Sequence, residues 1–254
     1  YIRKITGSYD IGVCYFSSAG YLLSDQVGKL VGKGSKSTEE MNFPQWLLFM
    51  RDTSVAISIT MGILYLIVAV AAGPEFVQSQ LSDGQNFIIF SLLKAITFAG
   101  GVFVIMAGVR LILGEIIPAF KGIATKLVPN AKPALDCPVV FPYAPNAVII
   151  GFLSSFLGGI LGMAALIALN APVILPGVVP HFFTGAAAGV FGNATGGRRG
   201  AVLGSLANGL LITFLPVLLL PVLGDLGFAN TTFSDADFGI IGILLGNILR
   251  LFNS

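Results

Sequence analysis

Along this chain the apolar residues fall in long charge-free blocks. A soluble amphipathic helix would instead show an alternation of three or four residues. Residues 55–73 and 147–169 contain no charge, and 87–109 contain one, Lys94. Each block reaches the ~20 residues that a helix needs to cross the hydrocarbon of a bilayer. Residues 173–195 and 201–223 are as apolar, but Pro176, Pro180, Pro216 and Pro221 predict bent crossings. Residues 238–252 make a shorter sixth candidate, and 111–128, with Glu115, Lys121 and Lys126 among apolar residues, reads as a helix lying along the membrane surface. The stretch VGKGSKSTEEMNFPQW (31–46) reads as an exposed linker, and Asp10, Asp25, Glu39 and Glu40 as a solvated face.

Composition agrees with a membrane protein. Hydrophobic residues make up 55% and charged residues 10%, whereas soluble domains carry about 25% charged residues; mean hydropathy is +0.90. The expected fold class is therefore an all-α polytopic membrane protein. Its expected organisation is a cytoplasmic or interfacial segment and linker over 1–52, continuing from a longer N-terminal half, followed by a transmembrane region over 53–254. The net charge of +2 says less than its placement. Arg3, Lys4, Lys29, Lys33, Lys36 and Arg51 precede the first block, and Glu75 and Asp83 follow it. Arg110, Lys121, Lys126 and Lys132 come next, then a base-free loop, then Arg198 and Arg199, then three aspartates in 224–237. Basic loops are retained in the cytoplasm, so this alternation orients every crossing.

The chemistry on offer is sparse. Cys14 and Cys137 lack a CxxC partner, His181 is the single histidine, and no HExxH, GxSxG or P-loop pattern occurs. A metal site, a cofactor, a disulfide framework and a catalytic residue of the chain's own are not expected. Cys137 reads as structural, His181 as a satisfied core residue and Lys94 as snorkelling to the interface. GxxxG spacings at Gly158/Gly162, Gly185/Gly189, Gly200/Gly204 and Gly242/Gly246 read as helix packing. A total of 32 glycines further suggests helices that slide or break.

One stretch departs from its surroundings. In KPALDCPVVFPYAPNAVIIGF (132–152), four prolines flank Asp136 and Cys137 between apolar blocks. Four prolines in thirteen residues exclude a regular helix, and irregular backbone at membrane depth is tolerated only where protein or a watery cavity surrounds it. Two short half-helices forming a re-entrant hairpin near 133–146, with Asp136 at a substrate, fit this pattern. A cytoplasmic loop with a solvated Asp136 is the alternative.

LDCPVVFPYAPNAVIIGF (135–152) and ILPGVVPHFFTGAAAGVFGNATGGRRGA (174–201) resemble the membrane IIC component of the ascorbate-type phosphoenolpyruvate-dependent phosphotransferase systems of bacteria. The resemblance implies the C-terminal portion of an elevator-type transporter of the inner membrane, working as a homodimer. Such a permease translocates ascorbate or a related sugar acid or sugar, which a IIB partner, fed by IIA, phosphorylates; nucleic acid has no part. It implies substrate contacts at Asp136, with Tyr143 and Asn146 in the same stretch, and at Val13 and Cys14, which stand where the family has a His-Gln pair. That replacement puts ascorbate itself in question. An ion-coupled secondary transporter of a small polar solute is the alternative function.

Overall fold

The structure, a computed structural model, describes residues 2–7, 9, 11–13, 17–41, 53–129, 132 and 134–253. Cys14 lies outside the described residues. Packing divides the chain into two units, Tyr1–Met41 with Lys132–Ser254, and Asn42–Ala131. The N-terminal segment is thus part of a folded body formed with the C-terminal half of the chain.

In the smaller unit, α3 (Thr53–Ala72) packs against α4 (Phe87–Lys126). Met61, Ala69, Ala95, Ala99 and Val102 are buried. Gly73, at φ 98°, ends α3, and the chain then bends by 102° into the short helical stretch Pro74–Leu81. The stretch expected to lie on the membrane surface, 111–128, forms no separate element: α4 continues unbroken through Lys126.

The larger unit is built around a helical hairpin. Val178–Pro180, a π-turn at His181–Gly185 and α6 (Ala186–Asp225) follow without interruption, except that Gly197 is non-helical at φ 55°, ψ −146°. A straight helix would hold residues 20 apart about 30 Å from each other. Yet Ser205 Oγ donates to the Gly185 carbonyl at 3.2 Å, and Asn208 Nδ2 donates to Thr184 Oγ1 at 3.3 Å. The chain therefore reverses at Gly197, where only glycine takes the required φ without strain, and 178–196 runs back along 198–225. The expected crossings 173–195 and 201–223 become the two arms of this hairpin, except that regular structure in the first arm starts only at Val178.

Two helices flank the arms. α5 (Pro145–Ala168) lies along one side and α2 (Ser18–Val31) along the other, and among the described residues these are the most extensive contacts between elements. Both interfaces have small residues at their points of closest approach. A Cβ at Gly151 would strike Gly185 and Gly189, one at Gly209 would strike the Ser155 backbone, and one at Gly28 or Gly32 would strike Gly196 or its neighbours. The GxxxG spacings pack helices, as expected, at backbone contact for Gly185/Gly189 and Gly200/Gly204 and against the Leu219 and Val222 side chains for Gly242/Gly246.

Three sequence expectations change here. Asp25 is buried and ion-paired to Lys29 at 2.6 Å, so it does not belong to a solvated face. Residues 35–40 are docked, not free: Thr38 is fully buried, and its amide donates to Asn193 Oδ1 at 2.8 Å. Glu39 accepts from the Ala147 amide at 3.0 Å and the Asn146 amide at 3.3 Å, capping α5, whose own N-cap residue offers no side-chain bond.

Among the described residues, three helical stretches are long and apolar enough to cross a membrane: Phe87–Ile105, Pro145–Ala168 and Val178–Asp225. The bent pair Ser58–Ala72 with Pro74–Leu81 would add a fourth. The architecture is that of an all-α membrane protein, as expected, apart from one two-residue strand pair.

Candidate functional site

Polar groups converge where α2 begins. Gly32, just beyond the last turn of α2, lies against Gly196 at the hairpin reversal, while Gly20 lies against Asn208, part-way along the second arm. At 1.5 Å per residue, the 14 residues of α2 place its N-terminus about 20 Å from the reversal. It is a half-helix that starts inside the length of the hairpin. Its buried face is Gly20, Ser24 and Gly28 with Tyr21 and Asp25, and Ser24 Oγ donates to the Ala188 carbonyl at 2.6 Å.

Just before α2, β1 (Gly12–Val13) pairs in parallel with β2 (Ala134–Leu135), Val13 standing opposite Leu135. Tyr9 reinforces this junction. Arg3 packs over its ring and hydrogen-bonds its hydroxyl, and Lys132 Nζ sits 5.2 Å from the ring centroid. The ladder is the local reason why Asp136 follows directly on a segment 122 residues away in sequence from Val13, the separation read from Gly12↔Ala134 and Val13↔Leu135.

Beyond β2 the prolines form a 3-10 helix, Cys137–Tyr143, in place of the expected two half-helices. Asp136 is its N-cap: Oδ1 accepts from the Cys137 amide at 2.6 Å while the residue stays exposed. The helix inserts Cys137, Val140 and Phe141 into the core. Phe141 meets Phe182 edge-on at 6.1 Å, and Phe182 meets Phe152 at 5.5 Å. Burial, and then the neighbouring Asp136 carboxylate, push the Cys137 thiol well above its ordinary pKa, although a hydrogen bond with Tyr21 acts the other way. The thiol stays protonated and unreactive at neutral pH, in keeping with a structural role.

Between β1, α2 and the first arm lies a cavity of about 330 Å³ walled by Ile2, Gly12, Val13, Ser18, Tyr21, Leu22 and Phe191, a size suited to a small ligand. The Tyr21 and Phe191 rings stack at 5.2 Å and 6°. The N-terminus of α2, where backbone donors and the helix dipole favour negative charge, is occupied by Asp237. Its two oxygens accept from the Ser18 amide at 2.9 Å and the Ala19 amide at 2.6 Å.

The sequence-predicted residues separate under this geometry. Val13 lines the cavity, and Asp136 stands at the end of the paired strand, outside the cavity wall. Tyr143 is exposed at the far end of the 3-10 helix. Asn146 is buried, and its Nδ2 donates to the Thr38 carbonyl at 3.1 Å, which ties the stretch at 35–40 to α5. His181 is a buried core residue with Nδ1 2.9 Å from Ser155 Oγ and its ring edge-on to Phe156. Sequence reasoning missed Ser18, Tyr21 and Asp237. The small-residue spacing Gly20, Ser24, Gly28, Gly32 was the signal that α2 is a packed helix. Among the described residues, no three His, Cys, Asp or Glu side chains converge as a metal would need.

The family model described as "PTS system sugar-specific permease component" matches residues 1–237. An "Ascorbate-specific PTS system EIIC component" of Mycoplasma pneumoniae (strain ATCC 29342 / M129 / Subtype 1) is 27% identical over 229 residues, covering 79% of this chain and 34% of that protein. The chain thus spans about a third of the length of that relative.

Proposed function

The chain belongs to the family of sugar-specific permease components of the phosphotransferase system, and from that premise we propose that it forms the substrate-bearing portion of an inner-membrane permease for a sugar acid or related sugar. The observation that carries this reading is the β1–β2 pairing. It joins two segments far apart in sequence, one bearing Val13 and the other leading to Asp136, at the start of a half-helix beside a small-ligand cavity. Broken helices whose ends meet inside the membrane are the usual frame of a transported solute's site.

In this reading the stacked Tyr21 and Phe191 offer a flat apolar wall to a sugar ring. Asp136 accepts hydrogen bonds from sugar hydroxyls that reach beyond the cavity; a carboxylate has two oxygens for this purpose, one of them already turned to the Cys137 amide. The substrate belongs to the class carried by the ascorbate-specific relative. Val13, an apolar residue at the cavity wall, shifts selectivity away from ascorbate itself by removing a hydrogen-bonding position. The solute crosses as the larger unit moves in an elevator-type displacement within a homodimer. A soluble IIB component, recharged by IIA, then phosphorylates the released sugar. No catalytic group of this chain takes part.

Uptake by the full-length protein tests this. Vesicles containing it should accumulate phosphorylated sugar only when phosphoenolpyruvate, IIA and IIB are all supplied. Accumulation of unmodified solute driven by an ion gradient alone would establish an ion-coupled transporter instead, with Asp136 taking the ion.

A further inference from the structure

The reversal of the helical hairpin carries charges that the site above does not use. Arg198 and Arg199 follow Gly197 directly, and the stretch at 35–37 is bonded across them. The Arg198 amide donates to the Lys36 carbonyl at 2.8 Å, the Arg199 amide to Ser35 Oγ at 3.2 Å, and Arg198 Nε to the Ser37 carbonyl at 3.3 Å. Lys33 is one residue from Gly32, which lies against Gly196. Four cations, Lys33, Lys36, Arg198 and Arg199, are therefore gathered on one tip, and all four are exposed.

The two acids of the same tip form no ion pair with them and leave the four cations in excess. Glu39 is turned to the α5 amides, and Glu40 accepts from the Ser37 amide at 3.3 Å. Among the described residues, the ion pairs are Lys29–Asp25 and Arg250–Asp225, and neither includes a member of this cluster. Charge of one sign, held on backbone fixed by hydrogen bonds and glycine contacts, raises the local concentration of an oppositely charged partner and its on-rate by roughly 10- to 1000-fold.

We propose that this tip is the landing surface for the soluble phosphoryl-carrying partner, which presents an acidic face bearing a phosphorylated side chain. The inference rests on the phosphotransferase reading above and adds to it the surface on which the partner arrives. The rigid display favours a folded partner over lipid headgroups. A polybasic segment that binds a fluid anionic surface needs no fixed spacing, whereas here each arginine is set by a backbone bond. The orientation also fits. A cluster of this sign belongs on the cytoplasmic side, where the carrier resides, and α2 leads from the tip to the cavity. Since α2 is about 20 Å long, the cluster holds the partner near the exit path and does not itself touch the transferred group.

The test uses the full-length protein in nanodiscs. Lys33→Gln, Lys36→Gln, Arg198→Gln and Arg199→Gln are combined, and association of the purified phosphorylated carrier is followed by stopped flow between 50 and about 300 mM salt, a range over which exposed charges are progressively screened. The expected result is an on-rate at least about tenfold lower, with its salt dependence flattened, and unaltered equilibrium binding of the sugar, which reports an intact fold. Equal on-rates and equal salt slopes for variant and wild type overturn the inference while leaving the permease reading intact. Failure of the carrier to bind even the wild type overturns both. Flotation with phosphatidylglycerol vesicles is the further arm. If the variant loses vesicle binding but keeps carrier association, the tip is a lipid contact and the inference falls.

Discussion

The Ala147 amide donates to the Glu39 carboxylate at 3.0 Å across 108 residues of sequence, so the first turn of α5 is capped by a side chain from the N-terminal segment. Glu39→Ala leaves two buried or half-buried amides without that acceptor. Loss of a helix cap costs about 1 kcal/mol, and a charged bond somewhat more. The thermal midpoint in detergent, followed by fluorescence-detected size exclusion, should fall clearly for Glu39→Ala and less for Glu39→Gln. An unchanged midpoint for the alanine variant would show that water caps α5 equally well.

Gly209 and Gly224 lie in the same helix and should respond oppositely to alanine. A Cβ at Gly209 runs into the Ser155 backbone, whereas one at Gly224 meets nothing within 4 Å. Gly209→Ala should destabilise by about 1–3 kcal/mol through overpacking. Gly224→Ala should be neutral or stabilising by up to about 1 kcal/mol. Equal behaviour of the two variants in the same melting assay would refute the close approach of α5 to the second arm.

The Cys137 thiol gives the larger unit a sensitivity to alkaline pH. Its folded pKa is raised by burial and by the Asp136 carboxylate. It therefore contributes stability that is intact below the unfolded-state value of about 8.5 and is lost as pH climbs above it, by about 1.4 kcal/mol per pH unit. Melting midpoints compared from pH 7 to 10 should fall faster for the wild type than for Cys137→Ala. Parallel pH profiles would mean that the thiol is not held in its protonated state. Native protein should also resist alkylation at this position until it unfolds.

Asp136 combines a local duty with the proposed one, and two variants separate them. Asp136→Asn keeps an acceptor for the Cys137 amide, so stability should hold, while Asp136→Ala loses the cap at about 1 kcal/mol. Sugar affinity in the full-length protein should fall from Asp to Asn to Ala, by about 1.5–3 kcal/mol for each charged hydrogen bond lost. Titration calorimetry that finds wild-type affinity in both variants would leave Asp136 as a helix cap and nothing more.

The elements legible in the sequence were those whose signal is local. The apolar runs at 87–105, with Lys94 as its one charge, and at 145–168, with none, are helices because little in them opposes a helix in lipid, and the sign change at Arg198 and Arg199 marked the reversal that Gly197 makes. α2 was hidden because hydropathy ranks Ser24, Asp25, Gln26 and Lys29 as surface residues. Its burial depends on small side chains meeting glycines far along the chain, which no local measure of hydropathy registers. β1 and β2 are too short for any periodicity to register. Asn146, which the resemblance places among the substrate contacts, fastens residues 35–40 to α5 through a partner 108 residues away, a tie that no local pattern announces.

The backbone contacts of the larger unit also act as a gear whose teeth are already meshed. With Gly151 seated on Gly185 and Gly189, and Gly28 on Gly192 and Gly196, sliding α2 or α5 by one turn along the arms would drive Cβ atoms of the neighbouring residues into places where only hydrogen fits. The glycines at these contacts hold the register of the helices, while Gly197 is where the helix breaks. Slippage inside this unit is closed off, so under the proposed elevator-type movement the half-helix, both arms and α5 travel together as one piece of cargo.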